Sequence, residues 1–423
     1  MWTTFKNRNF ALLWCAGLIS YSGDWMLRIA LPVAVYKMTG SAAAISVLFI
    51  AYTMPGIILG SVAGVFVDRW ERRRTMVIAN LLMGLAILPL VAVHSRAWLW
   101  LIYLAAFAES AVGQFFAPAE NAMLPTLVDE KDLAPANALN ILNNNLARFI
   151  GPAIGGVVVA TLDLKGVVIL DTLTYFAAAG LVAAISVISK PAVQEQAAHA
   201  LDALKKVGQD WLVGVRFVRG QAVIRILFLS AVFMALGEGT FSVLFAPFVL
   251  KVLHGGEAGV GVLMSAQAVG GIVSGAAVAW VASKVVPDRL FGIGSLIFGL
   301  IDLLIFNYST FVDGFAIALI LFVVVGIPGA AVFTGLQTIL QLHVPDELRG
   351  RVFGALGTTF GIFTVLGMGF AGIMSDNVGI VPVLNIQGLS YVVIGIIGLT
   401  LLHQQMRQTA PTPLEIIGDT VTS

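Results

Sequence analysis

Seven ionisable residues lie inside long apolar stretches of the sequence, where a charge is costly. They are Asp24, Arg28, Glu109, Arg148, Asp171, Glu238 and Asp302. At membrane depth such a charge costs about 2.5–3.5 kcal/mol to insert, and the residues that carry it usually bind a substrate, an ion or a proton. A carboxylate withdrawn from water takes up a proton more readily than one in solvent. These residues therefore indicate binding and proton exchange.

Two of these charges form a pair within one stretch. Asp24 and Arg28 are four residues apart, so a helix places them on one face. They either neutralise each other during insertion or act together in function, and the two interpretations are compatible. Glu109 has no charge partner in its own stretch, which favours a functional role. Arg148 either pairs with Glu109 or Asp24 or binds an anionic substrate, and pairing is the favoured interpretation.

The remaining candidates differ in their surroundings. Glu238 lies between Gly237 and Gly239, which we expect to leave room for substrate or water beside it. Asp171 is close to the end of its stretch, where water is expected to reach it, so a structural hydrogen-bonding role is favoured. Glu120 is either a gate or a surface charge. Uncharged polar residues predicted to line a cavity are Gln114, Asn143, Gln267 and Gln337.

The elements that must position these residues are twelve apolar runs of about 20 residues or more, the length of a membrane-crossing helix. The runs cover 10–36, 42–67, 75–93, 98–118, 138–161, 166–189, 222–250, 258–283, 289–308, 313–342, 350–375 and 380–402. The chain is 59% hydrophobic and 11% charged, whereas a soluble domain carries about 25% charged residues. The sequence therefore predicts an all-α integral membrane protein with twelve transmembrane helices in two pseudo-symmetric halves of six.

The domain organisation follows from the polar interruptions. The predicted parts are an N-terminal six-helix half (1–189), a cytoplasmic linker (190–220), a C-terminal six-helix half (221–403) and a cytoplasmic tail (404–423). Within the linker, Leu204, Val207, Trp211 and Val218 recur at helical spacing, which predicts an amphipathic helix on the inner leaflet. The tail after His403 is polar and is expected to be loose.

The distribution of lysine and arginine sets the orientation. Of the 24 such residues, 18 fall in loops and tails on the side of the N-terminus, four fall in the opposite loops and two lie inside runs. Cytoplasmic loops carry the excess of positive charge. Both termini and the linker are therefore predicted to be cytoplasmic.

Several function classes lack their sequence features. The net charge of +1 gives no indication of a nucleic-acid partner, and one cysteine, Cys15, excludes an internal disulfide. The sequence has no phosphate-binding G-x-x-x-x-G-K-[ST] loop, no H-E-x-x-H motif and no G-x-S-x-G motif. We therefore expect no metal, no cofactor and no enzymatic activity. A membrane-embedded enzyme would need a nucleophile with its base, and a sensor would need a soluble signalling domain.

The strongest local motif is G-S-V-A-G-V-F-V-D-R-W-E-R-R-R at 60–74. Gly60 and Gly64 are expected to let a neighbouring helix approach closely, and the arginines alone would fit a cluster that only fixes topology. The motif resembles the signature of the major facilitator superfamily, with matches at Gly64, Asp68, Arg69, Arg72 and Arg73. The resemblance implies a cytoplasmic latch between the two halves. In the second half, Gly271 and Gly275 recur at the same spacing, but Ala279 replaces the acidic residue, so the latch is expected to be lopsided.

A second motif, R-F-I-G-P-A-I-G-G at 148–156, resembles the glycine and proline motif of the drug-efflux branch. The matching residues are Gly151, Pro152, Gly155 and Gly156. The proline is expected to kink this helix, and the glycines to let helices pack closely. The stretches at 23–32, 115–128 and 345–354 resemble the bacterial macrolide and multidrug efflux group.

The resemblance implies a monomeric drug:proton antiporter in the bacterial inner membrane that exports small amphipathic molecules. Its partners would be the substrate, protons and membrane lipids. One half would rock against the other, with proton binding at Asp24, Glu109 or Glu238 shifting the balance between the two open states. The ninth helix is usually peripheral in this fold, which favours a structural role for Asp302. Siderophore exporters, lysophospholipid transporters and nutrient importers share the fold and remain alternatives.

Overall fold

The computed structural model describes residues 2–67, 69–186, 212, 214, 216–282 and 284–409. Helices account for nearly all of these residues, because a backbone in lipid must satisfy its hydrogen bonds internally. The helices are α1 (Arg8–Thr39), α2 (Ala42–Val67), α3 (Arg72–Ile87), α4 (Leu99–Leu127), α5 (Leu133–Ala183), α6 (Ala222–Pro247), α7 (Gly256–Ala282), α8 (Pro287–Asn307), α9 (Phe315–His343), α10 (Asp346–Val378), α11 (Ile380–Ile397) and α12 (His403–Thr409). Ten of the described helices are long and apolar enough to cross a membrane.

The longest helix, α5, is two helices joined at a break. Asp163 has φ 56° and ψ −169° inside an otherwise helical stretch of 51 residues, a backbone conformation rare for a residue with a side chain. The break falls between the predicted runs 138–161 and 166–189. We call the part before Asp163 the first arm of α5 and the part after it the second arm.

The C-terminal helices extend further than the sequence indicated. Helix α11 continues through a π-helical turn, Gly398–Leu402, directly into α12. His403 is hydrogen-bonded to Asp288, the second residue of α8, which is 2% exposed. The expectation of a loose tail from residue 404 is therefore wrong as far as Thr409. The tail beyond that residue lies outside the described part of the chain.

Most of the predicted amphipathic helix in the linker also lies outside the described residues. Only Leu212, Gly214 and residues 216–220 of it are described, and they are helical. Val218 is buried in an apolar cluster formed by α6, α9, α10 and α11. This end of the linker is therefore packed against the helices that follow it.

We call α1–α5 the N-terminal set and α6–α12 the C-terminal set. The terminal end is the end of the bundle where α1 begins, and the far end is where α1 finishes at Thr39. At the far end the two sets are in contact. The Ser46 hydroxyl donates to the Met368 carbonyl at 2.7 Å, and a Cβ on Gly156 would lie 3.0 Å from the Cα of Gly261.

At the terminal end the two sets diverge. Among the described residues, a Cβ built on Gly64, Gly271 or Gly275 would meet no atom within 4 Å, and one on Gly60 would meet the Gln114 side chain at 3.6 Å. The expectation that Gly60 and Gly64 admit a close neighbouring helix is therefore wrong in this conformation. The reason is that no described helix of the C-terminal set packs against these glycines at this end. The bundle is closed at the far end and open at the terminal end.

Candidate functional site

A cavity of about 540 Å³ separates the two sets. Its lining comes from α1, α2 and the first arm of α5 on one side and from α6–α11 on the other. The two walls carry opposite charge. Arg28 and Arg148 lie on the N-terminal wall, whereas Glu238 and Asp302 lie on the C-terminal wall. Nine aromatic side chains also line the cavity. The aromatic lining residues are Trp25, Phe49, Phe241, Phe245, Phe298, Phe322, Phe333, Phe360 and Tyr391.

The two arginines of the N-terminal wall stack on one indole ring. The guanidinium of Arg28 lies 5.2 Å from the ring centroid of Trp25, and that of Arg148 lies 5.6 Å from it. A cation over an aromatic face is attracted by the ring quadrupole. Glu238 lines the opposite wall of the same cavity. Arg148 thus contacts Trp25 in the large cavity, whereas pairing with Glu109 or Asp24 was expected.

The C-terminal wall differs from expectation at two points. The glycines beside Glu238 leave no spare room: a Cβ on Gly239 would overlap the backbone of α10 at Thr364, and one on Gly237 would lie 3.2 Å from Gln387. They serve close helix packing, and Glu238 itself is exposed to the cavity. Asp302, expected in a peripheral helix with a structural role, lines the same cavity.

A second, smaller cavity of about 160 Å³ lies inside the N-terminal set. It brings together Asp24, Arg28, Glu109 and Gln114, which come from α1 and α4. Arg28 lines both cavities. Its guanidinium lies 4.8 Å from the ring centroid of Tyr52. The small cavity is therefore polar and separated from the large one by an arginine.

Tyr175, from the second arm of α5, bridges the two carboxylates of the small cavity. Its hydroxyl oxygen lies 2.5 Å from Oδ1 of Asp24 and 3.0 Å from Oε1 of Glu109. The Tyr52 hydroxyl donates to the same Glu109 oxygen at 3.0 Å. Glu109 is 3% exposed and Tyr175 is fully buried. The four groups form one continuous hydrogen-bonded chain.

The hydrogens of this chain can be counted. A tyrosine hydroxyl has one hydrogen to donate, and an ionised carboxylate has none. The Tyr52 hydrogen is used toward Glu109. The two contacts of Tyr175 then need two hydrogens, and Tyr175 supplies one of them. Satisfying both contacts at once therefore requires one further proton, carried by Asp24 or Glu109.

Two other acidic side chains are more buried than the sequence indicated. Asp171 is fully buried, and the Thr174 hydroxyl donates to its Oδ1 at 3.1 Å. Water does not reach it, because α1 passes directly over it: a Cβ on Gly23 would overlap its carboxylate. Glu120 is 4% exposed and accepts a hydrogen bond from the Tyr21 hydroxyl at 2.5 Å, so the interpretation as a surface charge is wrong.

The four polar residues expected in a cavity divide between different surroundings. Gln114 lines the small cavity and Gln267 the large one. Asn143 is fully buried between α5 and α1, and its amide donates to the Trp14 carbonyl at 2.6 Å. Gln337 is exposed, one helical turn beyond the cavity-lining Phe333 toward the terminal end. The expectation is therefore wrong for Asn143, which holds two helices together.

The arginines of the 60–74 motif contact carbonyls of their own set. Arg72 Nη1 donates to the Ala122 carbonyl of α4 at 2.9 Å, and Arg73 Nη1 donates to the Ile185 carbonyl at 2.6 Å. Arg69 is exposed. Asp68 lies outside the described residues. In this open conformation Arg72 and Arg73 thus fasten helix ends of the N-terminal set.

The glycines of the 148–156 motif are sites of close packing. A Cβ on Gly151 would meet the Ser22 carbonyl at 2.6 Å, and one on Gly155 would meet the Met26 Cα at 2.7 Å, so the first arm of α5 lies directly on α1. Gly156 faces α7 across the boundary between the sets. Pro152 lies inside α5, but the residue whose backbone leaves helical geometry is Asp163.

Sequence reasoning missed the tyrosines of the site. Neither Tyr52 nor Tyr175 was among the candidate residues, and their contacts with Glu109 are visible only in the structure. A usable signal existed for Tyr175. Tyr175 is four residues after Asp171 in the same run, so the two side chains lie on one face of the helix. A face with a carboxylate and a hydroxyl is not expected to contact lipid.

Three relatives match almost the whole chain. An uncharacterised MFS-type transporter, YfiS of Bacillus subtilis, is 24% identical over 415 residues, covering 93% of this chain and 94% of the relative. The multidrug efflux pump Tap of Mycobacterium tuberculosis is 27% identical over 421 residues, covering 96% of each. Macrolide efflux protein A of Streptococcus pyogenes is 22% identical over 375 residues, covering 88% of this chain and 90% of that protein.

Solved structures of transporters share the fold. A POT family transporter in complex with 5-aminolevulinic acid superposes with a TM-score of 0.74 at 13% identity, covering 94% of this chain and 97% of that one. A bacterial homologue of the iron transporter ferroportin, in an inward-facing state, gives 0.72 at 14% identity, covering 93% and 98%. Residues 1–418 match the profile of the transmembrane secretion effector family. The chain therefore belongs to this family of major facilitator transporters and is a multi-pass membrane protein.

Proposed function

We propose that the protein is a proton-coupled exporter that moves small amphipathic molecules across the bacterial inner membrane by alternating access. The observation that supports this most directly is the chain Asp24–Tyr175–Glu109, which needs an added proton and lies one side chain away from a cavity open at one end. A shielded carboxyl pair is suited to gaining and losing a proton during a transport cycle.

The proposed topology has twelve transmembrane helices. Helix α1 has 32 residues, which is long enough to cross a membrane, and it adds one helix to the ten apolar ones. Dividing α5 at Asp163 turns one of the ten helices into two and so adds one more helix to the count. With the positive-inside orientation, both termini are cytoplasmic. The terminal end is then the cytoplasmic end, and the conformation described here is inward-open.

The proposed cycle couples protonation to the position of the two sets. With one proton on the carboxyl pair, the pair and Arg28 together are neutral, and the small cavity is stable without water. Loss of the proton leaves a second negative charge there, which is costly in a buried site. A conformation that brings water or a cation to the pair is then favoured. Protonation thus selects between the inward-open and outward-open states.

The substrate class is proposed from the cavity and from the relatives. An aromatic cavity of this size suits an amphipathic molecule, since apolar walls bury its body and a few polar groups orient it. Two relatives carry names that include macrolide efflux and multidrug efflux. Siderophore and lysophospholipid export are the alternatives within the same fold. The proposed transporter acts as a monomer.

The test is efflux of a cationic dye from the cytoplasmic side, measured as uptake into inverted vesicles under an imposed proton gradient. Wild type is compared with Asp24→Asn and Glu109→Gln, and with Asp313→Asn, an exposed residue outside both cavities, as the matched control. We expect gradient-driven uptake in wild type and in the control. Both cavity variants should lose the response to the gradient at normal expression.

Two outcomes contradict the proposal. Gradient-driven uptake that survives in both carboxyl variants would remove the small cavity from proton coupling. Absence of gradient-driven dye movement in wild type, with movement of a siderophore or a lysophospholipid in the same vesicles, would replace the drug substrate by one of the alternatives.

A further inference from the structure

The C-terminal wall of the large cavity gathers three acceptor groups. The carboxylate of Glu238 opens into the cavity. Asp302 is 4% exposed and lines the same cavity. The side-chain amide of Gln387 donates to Oδ2 of Asp302 at 3.0 Å. This hydrogen bond turns the amide hydrogens of Gln387 toward Asp302. The side-chain carbonyl oxygen of Gln387 therefore takes no part in the contact with Asp302.

The carbonyl oxygen of Gln387 is an unsatisfied acceptor. It is buried, the residue is 3% exposed, and no described residue donates a hydrogen bond to it. An unpaired buried acceptor costs about 1–3 kcal/mol, and two neighbouring carboxylates repel each other. In the described part of the chain, no lysine, arginine or histidine lies within 4.0 Å of the Asp302 carboxylate. A molecule with both positive charge and hydrogen-bond donors would satisfy all three groups.

The surrounding side chains fit the apolar part of such a molecule. The rings of Phe298 and Tyr391 lie against each other with centroids 4.4 Å apart, and those of Phe241 and Phe245 lie 5.0 Å apart. All four line the cavity. Aromatic faces attract cations as well as apolar groups. An aromatic body with an amine at one end would therefore contact rings along its length and acceptors at its charged end.

We propose that Glu238, Asp302 and Gln387 form a subsite for the protonated amine of an amphipathic substrate, with its apolar body against Phe298 and Tyr391. The proposal rests on the proposed function, because it takes the large cavity as the transport site. It assigns the cation to the C-terminal set and the coupled proton to the N-terminal set. Asp302 thereby becomes a substrate-binding residue on a helix expected to be peripheral.

The test uses a matched pair of probes on the purified full chain in lipid nanodiscs. Dansylcadaverine is a fluorescent aromatic primary amine that is cationic at neutral pH, and its N-acetylated form is neutral. Fluorescence titration gives a Kd for each probe and hence a preference ratio. A charged hydrogen bond predicts a preference of roughly tenfold or more for the amine in wild type. Asp302→Asn and Glu238→Gln should each reduce the ratio below about threefold.

Asp313→Asn is the matched control and should keep the wild-type ratio, since it removes an exposed carboxylate remote from the cavity. Melting temperatures identify any variant that fails to fold. If one of the two cavity variants does not fold, the other still tests the proposal. Equal affinity of the two probes for wild type would overturn the proposal. So would a full preference retained in both well-folded cavity variants.

Recognition and coupling can fail separately. Asp24→Asn and Glu109→Gln are expected to lose proton-driven transport, and they leave the residues of the amine subsite in place. A wild-type protein that prefers the amine but shows no proton-driven transport supports the subsite and contradicts the proposed function. A protein with proton-driven transport and no preference for the amine supports the function and overturns the subsite.

Discussion

The ammonium group of Lys37, at the end of α1, lies 2.5 Å from Oε1 of Glu257, in the first turn of α7. This ion pair crosses the boundary between the two sets at the far end. Asp163, at the break in α5, lies 3.7 Å from the same ammonium group. The three charges therefore join the end of α1, the break in α5 and the first turn of α7 at the far end.

Neutralising this lysine should loosen the far end. The side chains of Lys37 and Glu257 are 49% and 19% exposed, and a pair so exposed contributes about 0.2–1 kcal/mol. Lys37→Met should therefore raise the far-end-open population by up to roughly fivefold. The measurement is the labelling rate of Met264→Cys, in the large cavity, by an impermeant maleimide in a Cys15→Ser background. Lys165→Met removes another exposed far-end lysine and should leave the rate unchanged. An unchanged rate in Lys37→Met would show that the ion pair does not hold the far end closed.

Adding a methyl group at Gly156 should prevent closure of the far end. A Cβ there would lie 2.9 Å from the Ala258 carbonyl and 3.0 Å from the Gly261 Cα. Overpacking of this kind costs about 1–3 kcal/mol. Gly156→Ala should lower the melting temperature and raise labelling from the far side. Gly275→Ala is the matched control, because its Cβ would meet no atom of the described residues within 4 Å, and it should be neutral or stabilising by about 0.5–1 kcal/mol. Equal behaviour of the two variants would contradict the prediction.

Removing the His403 side chain should release α12. Asp288 is 2% exposed and hydrogen-bonded to His403, so His403→Ala leaves a buried acidic group without this partner, at a cost of about 1–3 kcal/mol. Trypsin should then cut faster after Arg407, the basic residue of α12. Gln404→Ala, at an exposed neighbouring position, should leave the cleavage rate as in wild type. Identical digestion of both variants would mean that α12 is held by other contacts.

Deleting the hydroxyl of Tyr175 should impair coupling and spare binding. Tyr175→Phe keeps the buried ring but breaks the bridge between Asp24 and Glu109. Loss of hydrogen bonds to charged groups predicts proton-driven transport slower by roughly 10-fold to 100-fold, with an unchanged KM for the dye. Tyr103→Phe removes a hydroxyl that donates to the Ala44 carbonyl at 3.2 Å and serves as the control. A change confined to KM would place Tyr175 in substrate binding.

The helices were predictable because their signals are local. Runs of apolar residues mark each one, and the charges inside them marked Asp24, Arg28, Glu109 and Glu238 as residues of interest. The break at Asp163 also fell where two runs had been separated. These signals depend on composition along the chain, which burial in lipid dictates directly.

The assembly of the site was not predictable in this way. Asp302 lines the large cavity and Asn143 joins two helices, against expectation, because neither outcome depends on the residue's own run. Each depends on which helix lies opposite and how far the two sets have separated. The small cavity likewise exists only because the second arm of α5 places Tyr175 against α1 and α4. Such relationships between distant segments have no counterpart in local patterning.

Arg28 separates the two cavities and lines both of them. When Asp24 or Glu109 takes up an extra proton, less negative charge remains to cancel the positive field of Arg28. That field extends into the large cavity, where a cationic molecule would be repelled. When the proton departs, the field is quenched and the same molecule is tolerated. In the proposed cycle, a proton in the small cavity and an organic cation in the large cavity would therefore disfavour each other through Arg28. Exchange of the proton for the cation would then need no coupling over a distance longer than the Arg28 side chain.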